Sequence, residues 1–147
     1  MYPVMLNLKN KKVVIVGGGM VAARKLRGLQ SENAQITIIS PQVDFEINPN
    51  KVRWIKADYL PELTKDADIV FACTNDKAVN QMIYQDAAQH QWINNVSNKE
   101  SSDLYNVSVV QDEAVTYAIS TNGTNPALAK KTRIRLQEFL KIKRKEE

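Results

Sequence analysis

Five short apolar runs separated by helix-length polar intervals, a glycine-rich turn after the first run, and a change of pattern near residue 100 predict an α/β chain. The expected architecture is a parallel sheet followed by a small β-hairpin and a long helix. At 147 residues, the length suits about one domain with an appendage. The division expected is 1–105 for the sheet domain and 106–147 for the hairpin and helix.

The runs are KVVIV (12–16), ITIIS (36–40), VRWIK (52–56), DIVFACT (68–74) and WINNV (92–96), each short enough to be a buried strand. Between the first two, Ala22, Leu26 and Leu29 recur at helix spacing, and Arg24, Lys25 and Arg27 are expected on the wet side. Residues 77–89 form a second helical pattern with Val79, Ile83 and Ala87 on one face. Farther on, YNVSVV and AVTYAIS flank QDEA and read as two antiparallel strands joined by a short turn. The loop TNGTNP then leads into a helix with Asn125 as N-cap and Pro126 in the first helical position. Leu128, Thr132, Leu136, Phe139 and Leu140 are expected to line up on one of its faces, and the tail to fray beyond about residue 141.

Charge is unevenly distributed. Of 20 Lys and Arg and 16 Asp and Glu, residues 130–147 hold eight and three, leaving 12 against 13 elsewhere. The basicity belongs to the last helix, so the sequence offers nucleic acid no wider basic surface. The single cysteine, Cys73, lies in an apolar run and reads as a small core residue. No apolar run approaches the roughly 20 residues that span a bilayer, and no signal-peptide pattern opens the chain. The expectation is a reducing, cytoplasmic setting with no membrane partner. The single histidine, His90, reads as solvated, and without ligand-spaced neighbours no metal site is expected.

The pattern Gly17-x-Gly19-x-x-Ala22 follows a strand and opens a helix, with another strand about 20 residues on. In the Rossmann dinucleotide fold the first glycine makes the tight turn and the second lets the pyrophosphate approach the backbone. A small third residue, here Ala22, lets helix and strand pack closely. The helix N-terminus then aims free N–H groups at the phosphates. At the tip of the second strand, where a carboxylate usually accepts from the ribose, this chain has Ser40 and Pro41, and Asp44 reads as a loop acid. The usual acidic selector of NAD over NADP is therefore missing. TNDKAVN (74–80) and NNVSNKESSD (94–103) follow the fourth and fifth strands, at the sheet edge where open α/β sheets bind ligands.

YPVMLNLKNKKVVIVGGGMVAARK (2–25), FACTNDKAVN (71–80), NNVSNKESSD (94–103) and AISTNGTNPALAKKTRIRLQ (118–137) together resemble the precorrin-2 dehydrogenase module of siroheme synthases, especially its short single-function bacterial form. The resemblance runs from Tyr2 to about Leu140. It implies a Rossmann domain with a dimerisation segment, NAD as cofactor, and oxidation of precorrin-2, a tetrapyrrole, to sirohydrochlorin in siroheme biosynthesis by a cytoplasmic homodimer. Longer members carry a further helical region that is expected to be absent here.

Carried over residue by residue, the resemblance assigns Gly17, Gly19, Met20 and Val21 to the phosphate loop. It assigns Ser40, Pro41 and Gln42 to the ribose edge, and Thr74 and Asn75 to the nicotinamide side. The family's loop aspartate aligns with Asn98, and an amide orients substrate without accepting a proton. Asp103, five residues on, is the alternative base, so the catalytic candidates are Asn98 and Asp103. Metal chelation, which some bifunctional members add, is not expected. Two other readings are a relative that binds NAD and tetrapyrrole without efficient catalysis, and a dinucleotide-sensing regulatory Rossmann domain.

Overall fold

A computed structural model describes residues 2–146. It contains two compact units, Pro3–Leu104 and the segment from Tyr105 onward. In the first, β1 (Lys12–Val16), β2 (Gln35–Ile39), β3 (Val52–Ile55), β4 (Ile69–Ala72) and β5 (Trp92–Asn95) form one sheet in the order β3-β2-β1-β4-β5, parallel throughout. The order reverses between β1 and β4, and at such a switch point the loops leaving the two strands diverge and open a crevice at their C-terminal ends.

Helices cover both faces. α1 (Met20–Leu29) packs Ala22, Leu26 and Leu29 over Val13, Ile15, Ile38 and Phe71, while α2 (Lys77–Gln85) places Ile83 among Val14, Val16, Val70 and Ile93 on the other side. Alternate residues of β1 therefore feed opposite cores, as strand pleating requires, and beyond the exposed Lys12 every residue of the strand is apolar and buried. Each fully buried aliphatic side chain contributes about 1.5–3 kcal/mol through burial. α2 starts at Asp76, whose Oδ1 accepts from the N–H groups of Ala78 and Val79, and it ends at Gln85, short of the expected 89. His90 is exposed in the turn that follows.

In the second unit β6 (Ser108–Asp112) and β7 (Val115–Ile119) pair antiparallel. The turn is tighter than expected: Asp112 pairs with Val115, leaving two residues, and Glu113 takes a positive φ of 50° to close it. α3 (Pro126–Glu146) is capped by the Asn125 side chain, which accepts from Leu128 N–H at 2.9 Å. The helix continues to Glu146 rather than giving way near 141. Its most enclosed residue is Ala129, with Arg133, Leu136 and Leu140 half-buried along the same stripe. Leu128, Thr132 and Phe139, expected to share a face with Leu136 and Leu140, are exposed.

Candidate functional site at the sheet switch point

The three glycines stay bare for three different reasons. Gly17 has φ of 122°, and a Cβ there would stand 2.5 Å from the Cys73 carbonyl oxygen, because the turn leaving β1 lies against the turn leaving β4. At Gly18 a Cβ would overlap the Gln42 carbonyl outright. Gly18 also accepts from Asp44 N–H at 2.9 Å, which straps the glycine turn to the tip of β2. Gly19 is different: nothing lies within 4 Å of where its Cβ would be. It is the N-cap of α1, no side chain caps that end, and no acid occupies the first turn. Met20 and Val21 begin the helix, so their N–H groups belong to the set that a helix leaves unpaired. An open, uncapped helix N-terminus at the switch point fits a pyrophosphate, and the protein's own packing gives no reason for the bare Cα at Gly19.

Ser40 is buried at the tip of β2. Its Oγ donates to the Gln42 carbonyl at 2.6 Å, its N–H reaches Ile55 O, and its own carbonyl accepts from Trp54 Nε1 at 3.0 Å. Pro41 and Gln42 are exposed beside it. Asp44 contributes its backbone, as a loop acid would.

Thr74 and Asn75 follow β4 at the same edge. Thr74 is held by the amide of Asn80, and Asn75 is exposed. Asn98 follows β5 as the N-cap of a 3-10 turn, Lys99–Ser101. Its Oδ1 accepts from Glu100 N–H at 3.0 Å and its Nδ2 donates to Ser101 Oγ at 3.1 Å. Asp103 is not brought to this edge. Its Oδ2 accepts from Ile93 N–H at 2.8 Å, two residues back along β5, and its N–H donates to Ile93 O, so it closes the open side of the edge strand.

Sequence reasoning missed Gly18, Lys25 and Asn80. Lys25, expected in solvent, is buried at 8 % exposure. Its Nζ donates to Asn94 Oδ1 at 2.6 Å and stands 4.8 Å from the centre of the Phe71 ring. Asn94 in turn donates to Leu104 O at 2.8 Å. Burial pushes the Lys25 amine down to about 8, with Cys73 opposing and Arg24 adding to the shift. Burial likewise pushes the Cys73 thiol up to about 11, so it is an inert core group. Two cavities, of about 330 and 490 Å³, open at the opposite, N-terminal edge of the strands and lie apart from these residues.

The fold and this edge define a dinucleotide-binding Rossmann protein. Residues 4–108 match the family described as "Putative NAD(P)-binding". A precorrin-2 dehydrogenase of Bacillus subtilis is 38% identical over 130 residues, covering 86% of this chain and 80% of that one. Its counterpart from Priestia megaterium is 33% identical over 135 residues, covering 89% and 67%. The solved structure of SirC, precorrin-2 dehydrogenase, superposes with a TM-score of 0.85 at 31% identity, over 94% of this chain and 70% of that one. The siroheme synthase of Zymomonas mobilis is 32% identical over 143 residues, but the chain spans only 30% of its length. The chain belongs to the precorrin-2 dehydrogenase family.

Proposed function

We infer that this protein oxidises precorrin-2 to sirohydrochlorin with NAD, as a step of siroheme biosynthesis. The observation that carries the reading is the Gly19 cradle: an open, uncapped helix N-terminus at the switch point of a family-matched sheet. Gly19, Met20 and Val21 would hold the pyrophosphate through backbone N–H groups, Gly17, whose own N–H donates to Ile39 O, would supply the tight turn beneath it, and Ser40, Pro41 and Gln42 would border the ribose. Thr74 and Asn75 would flank the nicotinamide. When bound, NAD supplies the hydride acceptor. The protein's task is to hold the macrocycle carbon against that acceptor and let the accompanying proton leave.

Asn98, on the loop after β5, orients substrate through its amide and takes no proton. Asp103 has one carboxylate oxygen engaged by the edge strand, which favours water as the proton acceptor. The same substitution of amide for acid removes an anionic ligand, so oxidation without metal chelation is the expected activity. Assembly as a cytoplasmic homodimer belongs to this reading. Among the described residues no helix is long and apolar enough to cross a membrane, and α3 and the hairpin leave Phe139, Ile142, Val109 and Val115 exposed.

The test is an anaerobic assay with precorrin-2 and NAD that follows the sirohydrochlorin spectrum. Wild type and Asp103→Asn should both turn over, since an asparagine oxygen still accepts from Ile93 N–H. Loss of turnover in a normally folded Asp103→Asn protein would make Asp103 the base. An inert wild type that gains activity as Asn98→Asp would make this chain a binding relative.

A further inference from the structure

Asn80 has no exposed surface, and all of its amide is used at the sheet edge. Oδ1 accepts from Thr74 N–H at 3.0 Å and stands 2.8 Å from Thr74 Oγ1. Nδ2 donates to Thr74 O at 3.0 Å and to Ser97 Oγ at 3.3 Å. The two backbone partners fix which end of the amide is which, because an N–H needs an acceptor and a carbonyl needs a donor. Ser97 Oγ donates onward to Asn95 Oδ1 at 2.7 Å, and Asn95 Nδ2 donates to the Asn80 carbonyl at 3.2 Å, closing a ring. One residue of α2 thus grips the backbone of the turn after β4 and ties it to the turn after β5 at Ser97, the neighbour of Asn98.

We propose that Asn80 is the positioning residue of the site: it fixes Thr74 and Asn75 for the nicotinamide and registers that turn against the Asn98 loop. The proposal rests on the cofactor reading above. The pyrophosphate and adenosine elements, Gly17 to Val21 and Ser40 to Gln42, make no hydrogen bond to Asn80, and Gly17 meets the Thr74 turn through packing alone, so the loss of Asn80 is expected to weigh on the nicotinamide end of the cofactor.

The experiment compares NADH with ADP-ribose, which lacks the nicotinamide. Titration calorimetry on wild type, Asn80→Asp and Asn80→Ala should show the NADH Kd rising tenfold or more in both variants while the ADP-ribose Kd stays within about twofold. Asn80→Asp keeps the shape and one acceptor but loses the donor to Thr74 O. Equal shifts for both ligands, or no shift with only a lower melting temperature, would overturn the proposal while leaving the cofactor reading intact. A wild type that binds neither ligand would sink both. Should the variants fail to fold, the wild-type protein decides. Its Thr74 amide and Asn80 side-chain NH2 resonances should move with NADH and stay in place with ADP-ribose, and movement with both or with neither overturns the assignment.

Discussion

At the scale of single residues, neighbouring glycines make opposite predictions. Gly18→Ala forces a methyl group into the Gln42 carbonyl and should lower stability by about 2 kcal/mol or more, read by urea unfolding. Gly19→Ala enters open space at backbone angles an alanine accepts, so stability should stay within about 1 kcal/mol while NAD affinity falls at least tenfold. Lys25 adds a pH dependence. The folded chain releases its proton near pH 8 and the unfolded chain near 10.5, so between those values the unfolded state binds more protons and stability rises with pH. Below pH 8 the cost of burying the charge is present in full. Unfolding free energy should therefore climb by about 1 kcal/mol between pH 8 and 9, and this rise should vanish in Lys25→Met. Above pH 9 Cys73 acts in the opposite direction. Its folded pKa is raised from 9.0 to about 11, so the folded state keeps a proton the unfolded state loses, and stability falls with pH. Both missed polar residues left a trace in the sequence. Lys25 stands at i+3 from Ala22 and i−4 from Leu29, on the buried stripe, and Asn80 stands three residues before Ile83. Spacing put them inside, whereas residue type argued for solvent, and the hydrogen bonds that reconcile the two, from Lys25 to Asn94 and from Asn80 to Thr74 and Ser97, depend on how strands and turns meet in space.

At the scale of elements, β1, β2 and β4 were legible because a parallel strand covered on both faces needs a largely apolar run, while the edge strands β3 and β5 were legible as shorter apolar runs despite Arg53, Asn94 and Asn95, and only ends shifted by a residue or two. The glycine turn was legible by its spacing and its place between a strand and a helix, although the groups that keep Gly17 and Gly18 bare, at Cys73 and Gln42, are distant in sequence. α3 was not, because its apolar residues occur all round the helix. Leu136 and Leu140 turn inward while Ile134, Phe139 and Ile142 stay exposed, and periodicity alone does not choose between two such stripes. A two-stranded ribbon with one helix is marginal by itself, and Phe139 at 55 % exposure adds apolar surface that a second copy would cover. Sedimentation velocity should give a dimer at micromolar concentration, converted to monomer in Phe139→Asp/Ile142→Asp with its spectrum of secondary structure retained. A monomeric wild type would remove the dimer reading.

At the scale of the whole molecule, binding and stability are linked. A ligand that occupies only the folded state at one hundred times its Kd stabilises by about 2.7 kcal/mol. NAD at that ratio should raise the wild-type unfolding midpoint, and Gly19→Ala at the same NAD concentration should show about half of the rise or less. Composition at this scale correctly set charge apart from fold: the near-neutral residues 1–129 contain the entire sheet, and the basic excess lies on α3. Dinucleotide binding was legible where motif and position met at the switch point, whereas the precorrin-2 reading came from the resemblance of four stretches taken together.

The strap between Gly18 and the tip of β2 has a practical consequence. Because the Gln42 carbonyl sits over a bare Cα and Asp44 N–H ends on Gly18 O, residues 17–19 and 40–44 behave as one casting. A chimera that imports a relative's ribose edge to retune coenzyme choice must import the matching glycine turn with it. Exchanged singly, either half would arrive with its fastening cut.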